Sequence, residues 1–307
     1  MSETGASSRD AIPIGAIAAP PFVRLPDPST HFRLRAQRFA VLAQRRDLAP
    51  YLRFMAGLAE AQHRAQEGLP ASSMQTPEER ERARTYAMPP LDRTAIATDA
   101  ALSATLDRLF ALARQIEMPD AARLALDNLT RMDGDGRSPL MRTALKQSPH
   151  AGRLAEHAFV TAALQVHFVR LASRLDGAQL VPIEGGACPA CGGAPVASLI
   201  VGWPGAHGTR FCACSLCSTL WHVVRIKCVC CGSTEGIGYE QIENRPDVQA
   251  VRAETCRMCR SYVKIMLQHQ DPALDPVADD VATLGLDILV REAGFHRGAV
   301  NPFLVGY

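Results

Sequence analysis

Through the first 180 positions apolar residues recur at intervals of three and four, and beyond about position 220 they alternate. The first pattern predicts helices with one buried face, the second half-buried strands. Asp27-Pro28-Ser29 is a helix start, since proline is tolerated in a first turn. Phe32, Ala36, Phe39 and Ala43 follow at helical spacing, interleaved with Arg33, Arg35, Arg38 and Arg45. A second helix is predicted from Pro50 to about Gln66, with Leu52, Met55, Leu58 and Ala59 inward and Gly68 as its stop. Residues 69–98 are polar and contain proline, and the Glu78–Arg84 charge cluster reads as a solvated helical turn. A third helix covers about Asp99 to Glu117, burying Leu102, Leu106, Leu109, Phe110 and Ala113. A fourth, after Pro119, buries Leu124, Leu126 and Leu129. Asp133-Gly134-Asp135-Gly136 predicts a turn; it is no calcium loop, because position twelve is Ala144 rather than a bidentate acid. A long helix from about Arg153 to Leu175 carries Leu154, Phe159, Ala162, Leu164, Phe168 and Leu171 on its apolar face. Together these faces predict a bundle whose aromatic and leucine stripes are core.

From about 182 the chain becomes short strands, glycine and proline turns, and cysteines. Strands are predicted at Leu220–Lys227, Ile237–Ile242, Val248–Ala253 and Tyr262–Leu267. After them Asp275 is an N-cap with Pro276 in the first turn, Leu284, Ile288 and Leu289 form a core face, and Gly294 stops the helix. Asp279 and Asp280 lie early in this helix, where acids are favoured; a catalytic carboxylate pair is the weaker alternative. The fold class is therefore α+β and multidomain. It comprises an arm (1–24), an α-helical domain (25–181), two four-cysteine modules (182–227 and 228–270), and a C-terminal helix with tail (271–307).

Composition narrows the function classes. The 307 residues are 47% hydrophobic and 21% charged, which is ordinary globular usage. The net charge of +2 calls for no polyanionic partner. No run of about 18 uncharged apolar residues predicts a membrane span. The apolar stretch Ala11–Val23 is interrupted by Pro13, Gly15, Pro20 and Pro21 and lacks a basic leader, so it reads as an arm rather than a signal peptide. There is no P-loop, nucleotide-binding glycine fingerprint, metalloprotease HExxH or nucleophile elbow.

All ten cysteines lie between Cys188 and Cys259. Eight form the CxxC pairs Cys188/Cys191, Cys214/Cys217, Cys228/Cys231 and Cys256/Cys259, a spacing that reads as metal binding in a reducing compartment rather than as disulfides. Forty residues separate Cys188 from Cys228 and Cys191 from Cys231; forty-two separate Cys214 from Cys256 and Cys217 from Cys259. The segment is thus a duplicated unit of CxxC-Gly, hairpin, CxxC and strand. The repeat assigns Cys188, Cys191, Cys214 and Cys217 to one site, and Cys228, Cys231, Cys256 and Cys259 to a second. Four thiolates select iron or zinc. Such a closed site has no open position at which to activate water, so it holds structure or, with iron, carries one electron. Cys212 and Cys230 read as small buried residues, and His222 as a strand-face histidine. Residues 182–270 hold eight Lys/Arg and six Asp/Glu. Two divalent ions in thiolate tetrads would turn that excess negative, the wrong sign for binding nucleic acid.

Several runs together resemble the FdhE family of formate dehydrogenase accessory proteins. They are Cys188-Pro189-x-Cys191-Gly192, Cys214-Ser215-Leu216-Cys217 with Trp221-His222, and Arg225-x-Lys227-Cys228-x-x-Cys231-Gly232. Arg252-Ala253-Glu254-Thr255-Cys256-x-x-Cys259, Tyr262-Val263-Lys264, Asp279-Asp280 with Ala282-Thr283-Leu284, Asn301-Pro302 and Pro26-Asp27-Pro28 complete the match. The resemblance implies two rubredoxin-like modules behind a helical domain, with iron in the CxxC pairs. It also implies a cytoplasmic, non-catalytic protein that binds the catalytic subunit of a respiratory formate dehydrogenase before export. Cys212 and Cys230 lie outside the family pattern. Exposed loops near Cys217 and Cys259, with Arg257 and Arg260, are the expected contact surface. A one-electron redox protein and a nucleic-acid-binding ribbon are the competing readings.

Overall fold

The structure, a computed structural model, describes residues 20–44, 48–96, 99–148, 150–242 and 249–304. Arg45, Val248 and all but residues 20–24 of the arm lie outside these.

The helical domain comprises α1 (His31–Leu42), α2 (Ala49–Ala65), α3 (Pro77–Thr85), α4 (Arg93–Ile96), α5 (Ala100–Ala113), α6 (Asp120–Arg131), α7 (Gly134–Leu145) and α8 (Leu154–Ala172). Helix α8 is the axis, with α2, α5, α6 and α7 packed round it. It is buried on nearly every side, polar His157, Thr161, Gln165 and His167 included. The Glu78–Arg84 cluster is the exposed helix α3, started by a reciprocal cap: Glu79 N donates to Thr76 Oγ1 and Thr76 N to Glu79 Oε2.

Two expectations fail here. Leu124 is 59% exposed, because a residue two positions from Leu126 points to the opposite side of a helix. The predicted turn at Asp133 is instead the N-cap of α7, Gly136 N donating to Asp133 Oδ1. Gly134, Gly136 and Pro139 concealed that helix, which tertiary packing of Leu140, Met141, Ala144 and Leu145 stabilises.

The strands are β1 (Val23–Arg24), β2 (Pro195–Ile200), β3 (Arg210–Cys214), β4 (Leu220–His222), β5 (Ile237–Glu240), β6 (Val251–Cys256), β7 (Ser261–Leu267) and β8 (His296–Arg297). Each copy of the repeat is an antiparallel hairpin plus a third strand, β2-β3-β4 and β5-β6-β7. Parallel pairing of β2 with β7, Ser198 opposite Ile265, fuses the copies into one sheet of order β1-β4-β3-β2-β7-β6-β5. Strands β2 and β3 show no alternation because both of their faces are buried. The strand predicted to Lys227 ends at His222. Beyond it the Arg210 guanidinium donates to the carbonyls of Arg225 and Lys227 and holds the linker out of the ladder.

The C-terminal helix is two, α9 (Ala278–Ala282) and α10 (Leu284–Glu292), broken at Thr283. Lys264 Nζ donates to the carbonyls of Asp280 (2.8 Å) and Thr283 (3.1 Å), which would otherwise serve helix amides. The break turns Leu284, Leu286 and Val290 inward, leaving Ile288 and Leu289 53% and 51% exposed, against expectation.

Asp279 and Asp280 lie in the first turn of α9, as expected, and both are buried against cations. Asp279 lies 2.7 Å from Arg38, beside the Arg35–Asp275 pair that also joins α1 to this segment. Asp280 and Asp287 share Lys264 and Arg297; Asn301 donates to Asp280, and the Tyr262 hydroxyl to Asp287. Tyr262, Lys264, Asp280 and Asn301, four of the residues that carry the resemblance, therefore meet in one buried network.

Candidate metal centres

Each copy opens with the same turn. Cys188 N donates to Gly193 O and Gly192 N to Cys188 O; Cys228 N donates to Ser233 O and Gly232 N to Cys228 O, all at 2.8–2.9 Å. Gly192 and Gly232 close these turns with φ of +68° and +76°, a region glycine enters without a steric penalty. The second turn of each copy needs the same handedness, supplied by Ser218 and Arg260 at +59° and +57°. Leu216 N and Cys217 N point at Cys214 Sγ, each at 3.4 Å.

The turns bring the eight paired cysteines into two tetrads, as the repeat predicted. In each, the sulfurs all lie within 4.8 Å of one another. Cys188–Cys217 and Cys191–Cys214 are separated by 3.6 and 3.5 Å; Cys228–Cys259 and Cys231–Cys256 by 3.8 and 3.7 Å. A tetrahedral ion with metal–sulfur bonds of about 2.3 Å sets sulfur–sulfur edges of about 3.8 Å, so the donors fit such an ion. Disulfides would need about 2.05 Å, and none of the ten cysteines is bridged.

Within the first tetrad the thiols differ in proton affinity. Burial first, then neighbouring thiols, hold Cys188 well above the ordinary thiol range. Burial also raises Cys214, but hydrogen bonds from Cys188, Cys191 and Cys217 outweigh it and hold this sulfur well below that range. A cation would replace those shared protons, so loading is coupled to proton release.

Two hydroxyls complete the sulfur environment: Thr219 Oγ1 lies 3.1 Å from Cys217 Sγ, and Ser261 Oγ 2.9 Å from Cys259 Sγ. The sequence reading missed them, although each stands two residues past the last cysteine of its copy, in the forty-two-residue register. It also missed Gln147 and Gln165, which donate to Ser215 Oγ (2.6 Å) and Ser215 O (2.8 Å) and tie α7 and α8 to the first site.

The remaining candidates are dispersed. Cys212 is buried as expected, beside Ser198. Cys230 is exposed, not buried, with its sulfur directed at the open side of Gly298. His222 stands on β4 with its ring 5.9 Å from Phe211, outside both tetrads. The loop at Cys217 is no exposed surface, because Ser215 and Leu216 are covered by the helical domain. Arg257 is exposed. Arg260 is also exposed, but its guanidinium donates to Gly294 O and lies 4.6 Å from the Phe295 ring centre.

A helical bundle joined to two fused ribbons, each closing four thiols, defines an α+β protein with paired four-cysteine metal sites. Models of the FdhE N-terminal, central and C-terminal domains match residues 20–185, 187–225 and 226–304. The chain belongs to the FdhE family. It is 43% identical over 294 residues to an FdhE homolog of Rhizobium meliloti, covering 96% of each chain, and 35% identical to one of Serratia proteamaculans, covering 88% and 86%. The crystal structure of FdhE from Pseudomonas aeruginosa superposes with a TM-score of 0.82 at 31% identity, over 93% of this chain and 99% of that one. No described helix is long and apolar enough to cross a membrane.

Proposed function

We propose that this protein is a cytoplasmic maturation factor that binds the catalytic subunit of a respiratory formate dehydrogenase before export, and that it turns over no substrate of its own. The observation that carries this is the closure of eight thiols into two tetrads in a chain matched to FdhE from residue 20 to 304. Four sulfurs saturate a tetrahedral ion and leave no site for water or substrate. The buried acids of the C-terminal segment are held against cations rather than poised in a cleft. Each tetrad, Cys188/Cys191/Cys214/Cys217 and Cys228/Cys231/Cys256/Cys259, would hold iron, with zinc as the competing ion. A bound ion would cross-link the two turns of each ribbon.

Tagged protein co-expressed with the catalytic subunit should retain it stoichiometrically; no retention under anaerobic conditions would sink the proposal. Arg257→Glu is the charge reversal that reports on docking beside Cys259. Arg260→Glu also removes the anchor to Gly294, so its effect is interpreted only against its melting curve. Elemental analysis with an absorption spectrum of anaerobically purified protein identifies the ion.

A one-electron redox role is the second reading, favoured by the Ser261 hydroxyl at Cys259, since hydrogen bonds to sulfur tune such centres. It requires a visible iron–thiolate band that bleaches reversibly.

A further inference from the structure

The duplication supplies an internal comparison: two sites with the same ligands and opening turn, under different cover. All four sulfur ligands of the first site are at most 2% exposed and belong to the core that includes α2, α5 and α8. Both of its knuckles are roofed by the helical domain. Leu91 N donates to Ala190 O inside the first, a Cβ on Gly192 would press on Pro89, and Gln147 and Gln165 hold Ser215 in the second. At the second site Cys231 is exposed and Cys259 half-buried. The corresponding knuckle residues Cys230, Arg257 and Met258 are exposed, Met258 by 63%.

A thiolate leaves a bound ion when a proton reaches the sulfur or a competing donor reaches the metal, and both come from solvent. We infer that the second tetrad is an exchangeable centre, which releases and reloads a thiophilic divalent cation while the chain stays folded, and that the first is a permanent clamp. Exchange begins at Cys231, the most accessible ligand. An incoming thiol or nitrogen–oxygen chelator forms a bond to the metal as the metal–Cys231 bond breaks, the thiolate takes a proton, and no electron is transferred. Arg257 and Arg260 beside the site favour anionic chelators. This inference rests on the proposal that both tetrads hold metal.

The test uses the full-length chain loaded with zinc and challenged with excess 4-(2-pyridylazo)resorcinol. Two equivalents should leave in two phases whose rate constants differ by at least about tenfold. Helical circular dichroism should be unchanged after the first. Cys231→Ser should lose the fast equivalent, keep the slow one, and melt as the parent does. Cys191→Ser is expected to lose solubility, so assignment of the phases does not depend on it. Instead, iodoacetamide quenching after the fast phase should label Cys231 and Cys259, the accessible ligands of the second tetrad, and spare Cys188, Cys191, Cys214 and Cys217. Cys230 is scored separately, because it lies in the same knuckle but belongs to neither tetrad. Release in a single phase, labelling of the first tetrad in the fast phase, or unfolding with the first ion would each overturn the inference. Uptake of fewer than two equivalents would instead remove the two-site proposal on which it stands, and the inference with it.

Discussion

Arg210 on β3 and Glu254 on β6 form a buried ion pair at 2.8 Å across the two intervening strands of the sheet. The same guanidinium donates to Ser198 Oγ on β2 and to the carbonyls of Arg225 and Lys227. One side chain thus stitches the first ribbon to the second and lays the linker between them over the sheet. Burial raises the Glu254 pKa, and Arg210 opposes the rise. Arg210→Met should cost about 3–5 kcal/mol, because it leaves a buried carboxylate without its cation. Arg210→Met with Glu254→Leu should recover most of that loss in urea unfolding; a double variant as unstable as the single would refute the pairing argument.

The Ser261 hydroxyl beside Cys259 predicts an electrochemical effect. An O–H donating to a thiolate withdraws charge from it and favours the reduced, more negative centre. In iron-loaded protein, Ser261→Ala should lower the reduction potential of the second site. Spectroelectrochemical titration measures this directly, and an unchanged potential in the variant would show the hydroxyl to be a bystander.

Gly298 is required by close approach. A Cβ there would collide with Cys230 Sγ and come within 3.2 Å of Ser261 Cβ. Gly298→Ala should therefore destabilise by about 1–3 kcal/mol through overpacking. Adding Cys230→Ala should relieve part of it, while Cys230→Ala alone should be tolerated. A double-mutant cycle by thermal denaturation that shows strict additivity would rule out the contact.

Burial lowers His157 and His167 from the usual 6.5 to about 4; at His167 Asp99 offsets part of the effect. The folded chain keeps both rings neutral, whereas the unfolded chain protonates them near 6.5. Their contribution is therefore complete above pH 6.5 and is lost as the pH falls toward 4, at up to about 1.4 kcal/mol per pH unit for each ring. Urea midpoints followed by helical circular dichroism should fall between pH 7 and 5, and His167→Gln should flatten the slope relative to the parent. Parallel slopes in parent and variant would contradict the assignment.

The grouping of the thiols was legible from spacing alone. CxxC spacing and the forty- and forty-two-residue registers are local and periodic, and the thiols they group lie together in the structure. The inward faces of α2 and α5 were equally plain, since Leu52, Met55, Leu102 and Leu106 recur with the helical period. Helix α7 was not, because Gly134, Gly136 and Pro139 argue against a helix that only contact with α8 makes worthwhile. The strand ending at His222 and the break at Thr283 were hidden for a different reason: Arg210 and Lys264 reach backbone carbonyls 15 to 19 residues away in sequence, and no neighbouring residue announces it.

The sequence by itself determined the helical domain, the duplicated ribbon and the partition of its thiols, because each depends on residues close together or in register. Only the tertiary structure decided that the ribbons share one sheet, that Asp279 and Asp280 face cations, and that one tetrad lies in the core while its twin meets solvent. Those outcomes depend on which surfaces cover which, and burial is a property of the folded whole that no spacing between residues encodes.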